Sequence, residues 1–132
     1  MDRVSKEVRS KIMSRIKGRD TKPELKLREL VSGAGYRYRK NYRIGNKTVD
    51  LAFHGDEVAV MIDGCFWHGC PSCYKEPKSN KAYWKKKISA NRLRDELTNT
   101  QLRQAGWKIV RIWEHEINKK PKLALRKVVI KL

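Results

Sequence analysis

The stretch from Asp63 to Cys73 reads Asp-Gly-Cys-Phe-Trp-His-Gly-Cys-Pro-Ser-Cys. It holds all three cysteines of the chain, one of its three histidines and two adjacent aromatics. Thiolates bind borderline cations, and Cys70 and Cys73, with two residues between them, have the spacing of a structural zinc pair. Cys65 stands before four intervening residues, a slightly longer step. A closed tetrahedral site needs a fourth nitrogen or sulfur ligand, and His54, His68 and His115 are the candidates. His115 is favoured, because it follows an expected strand whose end can meet the loop. Three unrelated buried thiols are the competing account, and zinc content decides between them. An odd cysteine count with no signal-peptide pattern points to reduced thiols and a cytoplasmic setting.

If His115 closes the zinc site, His68 is left for other work. Beside a bound cation and a phosphate, an imidazole can take a proton from water; zinc ligation or packing is the alternative. Oxygen ligands for a hard cation would come from Asp50, Asp63 and Glu24. Mg²⁺ keeps several waters and needs only one or two carboxylates plus a substrate phosphate. Strand aspartates are often turn or cap residues, but Asp50 interrupts an apolar, β-branched stretch. Phe66, Trp67 and Trp84, the last followed by Lys85-Lys86-Lys87, are suited to wedging between base pairs. Core packing is the alternative for each, and is the reading adopted for Trp107 and Trp113.

Charge names the partner class. Against 32 Lys+Arg the chain carries 14 Asp+Glu, a formal net charge of +18 over 132 residues. Such a surface attracts a phosphate polyanion. The accompanying four tryptophans and five tyrosines favour nucleic acid over a merely basic structural protein. No membrane-length apolar run and no long basic amphipathic helix with an aromatic face is present, so no membrane partner is expected. The length suits one domain with a modest core.

The elements that position these residues follow from pattern. Residues 1–19 form a basic arm, with Ile12, Met13 and Ile16 at helical spacing and Gly18 as a stop. Asp20 or Thr21 can cap a helix with Pro23 in its first turn and Leu25, Leu27, Leu30 and Val31 as its apolar face. Three strands follow: Tyr36–Arg39 with an extension through Tyr42–Ile44, then Thr48–Phe53, then the buried run Val58–Ile62. A hairpin between the last two brings Asp50 beside the Ile62/Asp63 end. Ser79–Gln104 reads as one long helix with Ile88, Leu93, Leu97 and Leu102 as apolar positions. Trp107–Trp113 alternates as a strand, and Pro121 opens a final helix with Leu123, Leu125, Val128 and Val129. The fold class is α/β, a small mixed central sheet flanked by helices, with a structural zinc loop.

Several segments together resemble the very short patch repair (Vsr) endonuclease family. They are Lys11 to Glu24, Val49-Asp50-Leu51, Gly64-Cys65-Phe66-Trp67-His68-Gly69, Tyr83 to Ile88, Asn91 to Asp95, Gly106-Trp107 and Trp113-Glu114. The resemblance spans nearly the whole chain. It implies a restriction-endonuclease-like fold, a single endonuclease domain over 1–132, and a strand-specific nickase acting on double-stranded DNA beside a T·G mismatch. It implies Asp50 as the metal-binding catalytic aspartate, with the main-chain carbonyl of Ile62 on Mg²⁺, and His68 as the catalytic histidine. Glu24 and Asp95 would be supporting acids. Phe66, Trp67 and Trp84 would intercalate, with Met13 a wedge on the arm, and Lys85, Asn91 and Asp95 fall at the expected DNA interface. Structural Zn²⁺ would be held by Cys65, Cys70, Cys73 and His115.

The chain departs from the family at three points. Cys70 stands where a histidine ligand is common and His115 where a cysteine is common, an exchange that keeps four ligands. Asp63 replaces a histidine used by some members near the active site and adds a carboxylate that can strengthen metal binding; either Asp63 or Glu24 is expected to hold metal-bound water. No lysine stands two residues beyond Asp63, so the aspartate…aspartate-x-lysine pattern is incomplete. Two rival functions remain at this level: a duplex-DNA endonuclease of a restriction-type system, and a non-catalytic zinc-containing DNA-binding module. A monomer in a bacterial-type cytoplasm, associated with the nucleoid, is expected, and mismatch-repair proteins are candidate partners.

Overall fold

The computed structural model describes residues 21–132. The basic arm 1–19, its Met13 wedge and the Asp20 cap lie outside the described residues. Helix α1 (Lys22–Gly33) has Pro23 in its first turn, with Thr21 at the N-cap in extended backbone and no side-chain cap bond. Leu27 and Val31, one turn apart, are fully buried, whereas Leu25 is half exposed. The strands are β1 (Arg39–Ile44), β2 (Lys47–Phe53), β3 (Val58–Asp63) and β4 (Lys108–Trp113). Between β3 and β4 runs the long helix α2 (Lys81–Gln104). After β4 come α3 (Glu114–Lys119) and α4 (Pro121–Val129).

The sheet order is β1-β2-β3-β4. The first two pairings are antiparallel, and β3 with β4 is parallel, Asp63 lying opposite Trp113. Parallel neighbours need a long crossover, which the zinc-loop segment and α2 supply. Side-chain alternation divides the core between two faces. Leu51, Phe53, Val58, Val60 and Ile112 pack with Leu27, Val31, Ile117 and Val128 from α1, α3 and α4. Ala52 and Ala59 face Leu102 of α2, with Tyr42, Trp107 and Ile109 packed around them. This is the mixed sheet flanked by helices that the pattern predicts. No helix among the described residues is long and apolar enough to cross a membrane.

Three local expectations are corrected. Strand β1 begins at Arg39 rather than Tyr36, because Arg39 already pairs with Ala52 and the partner strand ends one residue on, at a turn closed by Asp56 N–H to the Phe53 carbonyl. Leu93 and Leu97 are exposed, not core. The sheet-facing stripe of α2 is Ile88, Asn91, Asp95, Thr98 and Leu102, so its middle turns carry polar groups inward. Helix α3 is additional. It is too short to show a period, and Glu116 Oε1 stabilises its start by accepting the Trp113 N–H at 3.1 Å.

Candidate active site and metal centre

The parallel pairing of β3 and β4 puts two strand ends side by side, and Cys65 and His115 each stand two residues past those ends. The loop then coils on itself: Cys70 N–H donates to the Cys65 carbonyl at 2.8 Å, and Tyr74 N–H to the Cys70 carbonyl at 2.9 Å. As a result one ligand atom each from Cys65, Cys70, Cys73 and His115 lies within 4.8 Å of the other three. His115 Nδ1 is 3.3 Å from Cys65 Sγ and 3.6 Å from Cys70 Sγ. A tetrahedron with zinc–sulfur and zinc–nitrogen bonds of ordinary length has S···N edges of roughly 3.6 Å, so these four residues could hold a zinc ion. Burial and the neighbouring thiols push the Cys65 thiol up to about 12, against the pull of the His115 N–H. Burial opposes ionisation of Cys70 too, yet the N–H groups of Ser72 and Cys73 carry it below the ordinary thiol range. Thiols so crowded are eased by a cation among them. His54 lies elsewhere, edge-on to Tyr42 and Trp107.

The residues between Cys65 and Cys70 carry the aromatics and His68. Phe66 meets Trp67 and Trp84 at ring-centroid distances of 5.2 Å each, and Trp67 is 5.9 Å from Trp84. The three aromatics therefore form one cluster, with Trp67 still 44% exposed. Helix α2 clamps the backbone beneath them. Asn91 Nδ2 donates to the Trp67 carbonyl at 2.8 Å, and Arg92 Nη2 donates to the Gly69 carbonyl. Gly69 has φ +65°, and a Cβ there would stand 2.7 Å from Ile88 Cγ2. Only glycine fits both the left-handed backbone and the close approach.

His68 faces α2 through Nδ1, 2.5 Å from Asp95 Oδ2. Asp63 Oδ1 is 3.8 Å from the same nitrogen, but lies 2.7 Å from Arg111 Nη1. On the neighbouring strand, Asp50 Oδ2 accepts the Ile62 N–H at 2.7 Å, so the hairpin does bring Asp50 to the Ile62 end. Burial raises the Asp50 carboxyl to about 6. The Ile62 N–H and Arg28 pull against that, while the negative charges of Glu24 and Asp63 add to it. Glu24 is buried and bonded to Arg28 at 3.3 Å.

A cleft of about 690 Å³ joins these groups: Glu24, Ile62, Phe66, Trp67, His68 and Trp84 all line it. Asp50 and Asp63 stand behind its wall. Of the residues expected at the DNA interface, Asn91 lines the cleft while holding the loop, and Asp95 is turned to His68. Lys85 is exposed and outside the lining, and Lys87, two residues on, is in it. Tyr83 and Glu114 also line the cleft. Sequence reasoning missed Lys87, Tyr83 and Glu114 as cleft residues, and it missed Arg111 altogether. The signal for Lys87 was available: it is one helical turn from both Trp84 and Asn91, on the same face.

Comparison with known proteins agrees with this geometry. Residues 1–75 match the family described as DNA mismatch endonuclease Vsr. The type II nicking enzyme V.NaeI of Lentzea aerocolonigenes is 43% identical over 113 residues, covering 82% of this chain and 68% of that protein. The DNA mismatch endonuclease Vsr of Escherichia coli is 32% identical over 120 residues, covering 89% and 76%. Among solved structures, the catalytic domain of the homing endonuclease I-Bth0305I matches with a TM-score of 0.56. It does so at 16% identity, over 86% of this chain and 99% of that one. That likeness concerns the fold, which is restriction-endonuclease-like. The extent of the family match and the identities along most of the chain establish that this protein belongs to the Vsr family of DNA endonucleases.

Proposed function

We propose that the protein nicks one strand of duplex DNA beside a T·G mismatch, with Mg²⁺ held by Asp50 and the main-chain carbonyl of Ile62, and zinc fixing the 63–73 loop. The observation that carries this reading is the shared cleft. Glu24 and Ile62, the latter bonded to Asp50, open onto the same space as His68 and the aromatic cluster. A partly buried carboxylate beside two other negative charges is unfavourable on its own and suited to a cation.

Mg²⁺ bound there supplies positive charge that neutralises the scissile phosphate and makes water easier to deprotonate. His68, held at Nδ1 by Asp95, accepts a proton at Nε2. Of the two acids expected to hold water, Glu24 lines the cleft and takes that part, while Asp63 is engaged with Arg111. Lys87 meets a backbone phosphate. Phe66, Trp67 and Trp84 stack on the bases of an opened pair, and Met13 is the wedge from the arm. A mismatched pair is already weakly stacked, so opening it costs less than opening intact duplex. Relatives named as nicking enzymes and as a mismatch endonuclease support both the single-strand cut and the mismatch.

A strand-resolved nicking assay on a panel of mismatched duplexes with Mg²⁺ tests the reading. The expected result is one cut, on one strand, beside T·G only. Equal cleavage of fully paired DNA would move the protein to the restriction-type reading. Tight, salt-dependent binding without cleavage in any divalent metal would make it a binding module.

A further inference from the structure

We propose that Arg111 is a positioning residue for His68: by holding Asp63 it assigns the His68 Nδ1 proton to Asp95. The inference rests on the proposed role of His68 as proton acceptor and adds how that role is secured.

Two carboxylates face one imidazole nitrogen. Asp95 Oδ2 is 2.5 Å from His68 Nδ1 and Asp63 Oδ1 is 3.8 Å from it. The nitrogen carries one hydrogen, so it can be donated fully to only one of them. The same Asp63 oxygen lies 2.7 Å from Arg111 Nη1, a charge-assisted contact stronger than one to a neutral donor. Arg111 is itself fixed from α2. Its Nε donates to Asn99 Oδ1 at 2.7 Å, its Nη2 reaches the Asp95 main-chain carbonyl at 3.4 Å, and its Nη1 is 3.8 Å from Asp95 Oδ1. The planar guanidinium thus spans β3 and α2, drawing Asp63 to one side while keeping Asp95 against the ring. Asp63 and Arg111 are side chains of adjacent parallel strands, and 8% and 18% of each is exposed, so the pair is shielded from solvent. With Arg111 gone, Asp63 becomes a second, unpaired acceptor within reach of Nδ1, and the ring loses its single orientation. Nε2 then no longer meets the cleft at a fixed place.

The alternative is that Arg111 is an ion-pair partner that stabilises the sheet and nothing more. Steady-state nicking of T·G duplex separates the two, with zinc content and thermal unfolding as checks on the fold. Arg111→Met is expected to lower kcat by about 10²-fold, the loss typical of a misplaced catalytic group, with KM unchanged. The double variant Asp63→Leu with Arg111→Met removes the competing carboxylate together with its cation, as buried ion pairs tolerate. It is expected to recover at least about tenfold of the lost kcat. Should Arg111→Met not fold, Asn99→Ala removes only the Nε acceptor, and is expected to lower kcat by about tenfold at unchanged KM. Folded variants with wild-type kcat, a loss confined to KM, or no recovery in the double variant would overturn the proposal. His68→Ala is measured alongside: if it still nicks, the proton-acceptor reading of His68 fails. If His68→Ala is inactive and the Arg111 and Asn99 variants are unaffected, only the positioning role fails.

Discussion

Asp50 and Asp63 are shielded carboxylates on neighbouring strands, close enough for Asp50 to feel the charge of Asp63, yet their surroundings are opposite. Asp50 has one main-chain N–H in contact and a second carboxylate, Glu24, nearby, which leaves its carboxyl raised to about 6 by burial. Asp63 is also raised by burial, but a guanidinium at 2.7 Å and the His68 ring pull it back. Among the described residues no cation contacts the Asp50 carboxylate, whose neighbourhood borders the cleft; Asp63 has its cation built in. That difference is the basis for the proposed division of labour, in which Asp50 holds a metal and Asp63 supports His68. The Arg111 guanidinium at 2.7 Å also offsets the charge that Asp63 adds beside His68.

The contrast breaks most sharply on activity. Asp50→Ala is expected to lower nicking by at least about 10³-fold, since the charge it positions is worth several kcal/mol in the transition state. Its fold and zinc content should be kept. A variant that still nicks in Mg²⁺ would remove Asp50 from the metal site. Asp63→Ala should do the reverse, with a smaller effect on nicking than on stability. Removing one partner of a buried pair costs about 3 kcal/mol or more, here reduced somewhat by Asp95 Oδ1, 3.8 Å from the stranded Arg111. Urea unfolding of the zinc-loaded protein measures it, and an unchanged midpoint would show that Asp63 is not held as described.

Much of the second neighbourhood was invisible in the sequence, for physical reasons. Strands β2 and β3, their hairpin and the gathering of Cys65, Cys70, Cys73 and His115 could be read, because burial patterns, turn residues and thiol spacing are local signals. Arg111 could not: one basic residue in the alternating run Lys108 to Trp113 looks like a solvent-facing position, and only the parallel pairing with β3 turns it to Asp63. The inner face of α2 was misread for a related reason. Leu93 and Leu97 suggest a core stripe, but the helix presents Asn91, Asp95 and Asn99 to the loop and sheet, and leaves both leucines exposed. A helix whose middle serves a site reverses the apolar rule on which the period is judged.

The raised carboxyl of Asp50 gives a pH test of the same contrast. Its folded value of about 6 lies above the ordinary 3.8. Between those values the folded state therefore holds a proton that the unfolded chain has lost. Stability contributed by the protonated group is present below pH 4 and falls as pH rises towards 6. The shift corresponds to at most about 3 kcal/mol, in Mg²⁺-free buffer with zinc retained. Asp50→Asn should flatten this slope, and so should added Mg²⁺ near neutral pH. Equal slopes in the wild type and Asp50→Asn would mean that the carboxyl is solvated rather than strained.

Gly69→Ala disturbs the loop that carries His68 and leaves the Asp50 side of the contrast in place. The residue needs φ +65°, and the new methyl would meet Ile88 Cγ2 at 2.7 Å and the Arg92 guanidinium at 2.9 Å. Left-handed strain and overpacking together cost about 2 kcal/mol. Ile88 is buried and cannot swing aside, so the loop must lift from α2, and His68 moves with it away from Asp95. Asp50 and Ile62 are held through the β2–β3 hairpin rather than the loop. The variant should therefore lose thermal stability and kcat while its apparent affinity for Mg²⁺ stays as in the wild type. If Mg²⁺ affinity falls in step with kcat, the two carboxylate neighbourhoods form one coupled unit, and the division between Asp50 and Asp63 fails.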